Sequence, residues 1–104
     1  MKMIKKLVEM IEEELEDARN YAKCALKHKE ENISMANTFY ELSLDEMRHA
    51  DMLHGEAIKL IEAHRRDYGE PPAAMLAVWE WEHEKYIERA NEAKMLQAQY
   101  RGSV

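Results

Sequence analysis

Glu14, Glu46 and His49 stand in helical rows whose other members are mostly apolar. An ionised carboxylate taken out of water without a partner is costly, so it protonates, pairs with a cation or binds a metal ion. The three-residue step from Glu46 to His49 puts both side chains on one face of a helix. Mixed carboxylate and imidazole donors suit iron or manganese, and zinc also accepts them. A second Glu-x-x-His occurs at Glu80-Trp81-Glu82-His83, which makes Glu80 and His83 candidates for a second metal site or for support of the first. The pattern alone carries little weight: with 17 glutamates and five histidines in 104 residues, about one match arises by chance.

Each residue also has a plainer reading. Glu14 could pair with a cation such as Arg48, and His49 could be a hydrogen-bonded core histidine. His28 and His64 read as dipole partners at helix C-termini, and His54 as a packing residue. Tyr21, on the Glu14 row, reads equally as a buried tyrosine or as a hydrogen-bond partner for a ligand. Cys24, the single cysteine, reads as a small packing residue, fits a reducing compartment and excludes an internal disulfide.

The elements that must position these groups are helices. Charged residues make up 35% and hydrophobic residues 46% of a 104-residue chain, a composition that favours long helices in a single domain spanning 1–104. The expected fold is all-α, with three long antiparallel helices over about 2–28, 35–66 and 72–100. Helix one carries the row Ile4, Leu7, Ile11, Glu14, Ala18, Tyr21, Ala25, in steps of three and four. Helix two carries Phe39, Leu42, Glu46, His49, Leu53, Ala57 and Leu60, beside a second row of Tyr40, Leu44, Met47, Ile58 and Ile61. Gly55 interrupts it, and a close helix approach would explain why. Asn32 or Ser34 is placed to cap helix two. Gly69, Pro71 and Pro72 mark the next turn, and helix three buries Met75, Trp79, Tyr86, Ala90 and Ala93.

Height along the helices supplies a constraint separate from the motif. If helices one and two turn back near residue 31 or 32, Glu14 lies about 17 residues from the turn, and Glu46 and His49 about 15 and 18, which at 1.5 Å per residue is one level. Helix three, folding back near residue 69 or 70, sets His83 beside residue 56, about nine residues from that level or ~13 Å.

At these residues the chain resembles the ferritin-like superfamily, whose diiron bundles project lone glutamates and Glu-x-x-His motifs inward. Glu14 to Tyr21 is similar to the first ligand helix of rubrerythrins and encapsulated ferritins, and Glu46 to Leu53 to the second, so the resemblance covers roughly residues 10–57. It implies Glu14 as terminal ligand, Glu46 as bridging ligand and His49 as imidazole ligand of a diiron site at which bound Fe²⁺ is oxidised by dioxygen or peroxide. The family's four-helix subunit needs a second such set, which this hairpin plus third helix lacks. A homodimer, or a higher even homo-oligomer, would supply it. Four carboxylates would then face two divalent ions, and the charges would cancel.

The remaining expectations concern partners and place. The −6 net charge and the lack of a basic stripe argue against nucleic acid. No apolar stretch is long enough for a membrane span, acids interrupt any signal-like segment near the start, and a cytoplasmic location is expected. The competing class is a non-enzymatic helical interaction module, such as a small bacterial or prophage accessory protein. It would assemble through Met35, Met47, Met52, Met75, Trp79 and Trp81, with its buried acids merely paired.

Overall fold

The computed structural model of the chain describes residues 2–102. It is all-α, with three long helices: α1 (Lys2–His28), α2 (Ile33–Tyr68) and α3 (Ala73–Arg101). At 1.5 Å per residue, the 36 residues of α2 span about 54 Å, which accounts for the 55 Å long axis of a bundle only 19 × 18 Å across.

The helix ends follow from local chemistry. Asn32 caps α2, its side chain accepting the Met35 N–H at 3.1 Å; this starts α2 two residues earlier than the apolar rows indicate. The chain leaves α2 through Gly69 at φ 83° and leaves α3 through Gly102 at φ 76°, left-handed conformations that a glycine adopts without a Cβ clash. Pro72 precedes α3, where its missing N–H costs nothing.

The buried rows differ from the expected ones by one position. On α1 the core residues are Ile4, Leu7, Ile11, Leu15, Ala18, Ala22 and Ala25, so Leu15 and Ala22, rather than Glu14 and Tyr21, occupy the centre. On α2 they are Ala36, Ser43, Met47, Ala50, Ala57 and Ile61, which leaves Glu46, His49 and the Phe39–Leu42–Leu53–Leu60 row at the flank. The reason is side-chain size. Ala36, Ser43, Ala50 and Ala57 recur every seven residues, a stripe of small groups that lets α1 approach closely. The approach is close enough for Ser43 Oγ to donate to the Ala18 carbonyl at 2.6 Å while accepting from Gln97 Nε2 at 2.8 Å.

α3 is attached unevenly. Its buried residues, Ala90, Ala93, Gln97 and Tyr100, all lie in its C-terminal part. Trp79 and Tyr86 are only partly covered, Trp79 packing at the edge of an α1–α2 core cluster and Tyr86 at the edge of the cluster that Ala90 and Ala93 share with α1 and α2.

Candidate metal centre

The α1–α2 register sets the site. Ala18 faces Ser43 through the hydroxyl bond, and the Tyr21 ring stacks on Phe39 at 6.2 Å between centroids. Continued toward the N-terminus of α1, the same antiparallel register places Glu14 opposite residue 47, between Glu46 and His49. The structure does bring these three side chains together. One donor atom from each lies within 4.8 Å of the others, the one such ligand group among the described residues. His49 Nδ1 is 3.6 Å from Glu14 Oε2 and 3.8 Å from Glu46 Oε2.

Burial is graded across the trio. The side chains of Glu46, Glu14 and His49 are 18%, 26% and 43% exposed, so the site sits in the flank groove between α1 and α2 and not inside the monomer's core. Its mouth is a depression of about 250 Å³ lined by Met10, Glu14, His49, Met52 and Leu53. Within it, Glu14 Oε2 is buried without a hydrogen-bond partner. Both imidazole–carboxylate distances exceed ordinary hydrogen-bond lengths, and Arg48 turns away to Asp45 at 3.9 Å. An acceptor denied water and hydrogen-bond donors is unfavourable unless a cation approaches it.

Metal bonds of about 2.1 Å at right or tetrahedral angles hold donor atoms about 3.0–3.5 Å apart. The trio therefore fits an ion after closing by about an ångström, within the reach of rotamer adjustment in partly exposed side chains. Two carboxylates and one imidazole would neutralise a divalent charge and leave coordination positions open toward the groove.

Glu80 and His83 lie elsewhere. Glu80 is exposed on α3. His83 Nδ1 lies 3.0 Å from His54 Nε2 on α2, close to its expected level beside residue 56, and neither residue belongs to the ligand group. His54 stacks on Tyr86 with ring centroids 4.1 Å apart, and the Tyr86 hydroxyl donates to Asp51. Burial, reinforced by the Asp51 carboxylate, pushes the Tyr86 phenol well above its usual range, so it remains a donor. Burial first and His83 second hold His54 below its ordinary value, with Asp51 opposing in part. His28 approaches Glu31 at 3.5 Å, and His64 bonds the Gly69 carbonyl at 3.3 Å, each at a helix C-terminus.

Reasoning from apolar rows missed the Ser43–Gln97 relay and the His54–His83 pair. The seven-residue recurrence of small side chains on α2 was the available signal for the first; the second depends on how α3 docks. In comparisons with protein-family models, curated proteins and solved structures, nothing matches this chain.

Proposed function

We propose that the chain is a ferritin-like iron protein in which Glu14, Glu46 and His49 form half of a diiron carboxylate site. A second copy related by a twofold axis completes it, and the substrate Fe²⁺ is oxidised there by dioxygen or peroxide. The observation that carries this reading is the convergence of the three donors within 4.8 Å around a buried Glu14 oxygen that has no hydrogen-bond partner. Two copies would contribute four carboxylates and two imidazoles, the donor set of diiron bundles. Bound iron would supply the redox chemistry. Glu14 and Glu46 would hold the cations by charge, His49 would orient through Nδ1, and Met10, Met52 and Leu53 would restrict water at the groove. Manganese or zinc suits the same donors.

A second reading has one observation in its favour. His49 stands between both carboxylates at 3.6 and 3.8 Å, so an imidazolium there would pair with both and offset one of their two charges within a non-enzymatic helical assembly module. Metal analysis separates the two. Protein purified without chelator should carry about two iron equivalents per dimer, with at least about a tenfold loss in Glu46→Ala and His49→Ala variants. A wild-type protein that stays metal-free after anaerobic Fe²⁺ loading would leave only the module.

A further inference from the structure

Two halves of α3 are held by different chemistry. The C-terminal part is anchored by buried groups: Ala90 and Ala93 in the core, Gln97 on Ser43, and the Tyr100 hydroxyl on Asn37. Toward the N-terminus no residue of α3 is fully buried; Trp79, His83 and Tyr86 are partly covered, whereas Val78 and Trp81 are 61% and 52% exposed. The bonds that tie this half to α2 are His54–His83 at 3.0 Å and Tyr86 to Asp51, joined by the stacking of Trp79 on His54 at 5.8 Å; a Glu82–Glu12 carboxyl hydrogen bond ties it to α1.

We propose that residues 73–86 of α3 form an acid-released latch, held to α2 by the His54–His83 hydrogen bond and freed when both imidazoles carry a proton. An imidazole–imidazole hydrogen bond needs one ring nitrogen with a free lone pair. The neutral pair has one, and so does the pair sharing a single extra proton. The second extra proton removes the last acceptor and sets two cations at a 3.0 Å contact, which is repulsive even in a polar surrounding.

The groups that face His54 do not prevent this. Asp51, on α2, favours a first proton but is engaged by the Tyr86 hydroxyl. From α1, Glu12 lines the small cavity beside the imidazoles and is paired with Arg89 at 3.7 Å. From α3, Glu82, Lys85 and Arg89 line the same cavity; burial and a carboxyl–carboxyl hydrogen bond with Glu12 push Glu82 up to about 7, so its protonation favours docking over the same range and opposes release, and the imidazole variants isolate the share of the His54–His83 pair. The lowered affinity of His54 for a proton gives the direction. Docking is complete above the free-imidazole value of 6.5 and weakens as pH falls through the depressed value in the folded protein. This inference does not depend on metal binding at Glu14, Glu46 and His49.

Native-state hydrogen exchange on the full chain tests it. Between pH 7.5 and 5, protection factors of amides in residues 76–86 should fall about tenfold or more, while those in residues 90–100 hold, because an undocked pair that takes up one more proton than the docked pair gains up to about a factor of ten per pH unit below 6.5. Glutamine is neutral throughout and can both donate and accept, so His83→Gln and His54→Gln should each remove the acid-induced loss. His49→Gln, in the other groove, should retain it. Protection in residues 76–86 that is unchanged down to pH 5 in the wild type would overturn the latch. So would an identical loss in both glutamine variants at the imidazole pair.

Discussion

At the scale of single residues, the informative groups are carboxyls held where water reaches them poorly. Glu14 and Glu46 converge on one imidazole, and a buried oxygen of Glu14 finds no donor. Without a cation this arrangement costs stability; with one it gains. Glu14→Gln should therefore stabilise chelator-treated protein by about 1 kcal/mol through relieved repulsion and desolvation, raising its melting temperature, and should melt below wild type once Fe²⁺ or Mn²⁺ is added. Paired thermal melts with and without metal read that crossing; a variant less stable in both would mean that the carboxylate is satisfied within the protein. Glu82 offers a second case. Partial burial, followed by a carboxyl–carboxyl hydrogen bond with Glu12, pushes Glu82 up to about 7. A raised acid stabilises the fold fully below its free value of 4.5 and loses that contribution as pH rises through about 7. Glu82→Gln should accordingly melt higher than wild type at pH 8, with the difference shrinking toward pH 4.5. Melting curves across that range check the sign.

Among the elements, α1 was legible in the sequence to the residue, and α2 and α3 to within two at each end, because Asn32, Gly69, Pro72 and Gly102 impose local geometry. Row assignment was less legible. Apolar bulk draws attention to Phe39, Leu42, Leu53 and Leu60, yet close packing selects Ala36, Ser43, Ala50 and Ala57, and the large residues move to the flank. The trio survived this shift because Glu14, Glu46 and His49 all turned toward the same side of the α1–α2 pair. How α3 docks depends on contacts distant in sequence, which periodicity does not encode. The expected close helix approach at Gly55 is not found: a Cβ at that position would meet nothing within 4 Å. With a helical backbone and open space, Gly55→Ala should stabilise by about 1 kcal/mol, raising the melting temperature by about 4–8 °C for a domain of this size. Calorimetry showing a loss instead would mean that another chain occupies that face.

For the whole molecule, the groove side of the α1–α2 pair sets the last expectation. Met10 is 39% and Met52 60% exposed, and both rim the depression that holds Glu14 and His49. α3 covers a different side of the pair, meeting α2 through Asp51, His54 and Ser43. If the trio is half of a shared metal site, as proposed, its apolar rim is suited to an isologous contact, in which the same patch meets itself across a twofold axis and doubles every ligand. Replacing Met10 and Met52 together by glutamate would add four negative charges to such a contact while leaving the monomer's core untouched. The double variant should run as a monomer with unchanged helix content, and its iron should fall at least about tenfold, because half a donor set holds metal weakly. Val78→Glu, a comparably exposed apolar position on α3, should alter neither. Light scattering coupled to metal analysis reads both quantities on one sample. If the double variant became monomeric yet kept full iron, each chain would hold its metal alone and the shared site would be wrong, whereas joint loss of dimer and metal ties the chemistry to assembly.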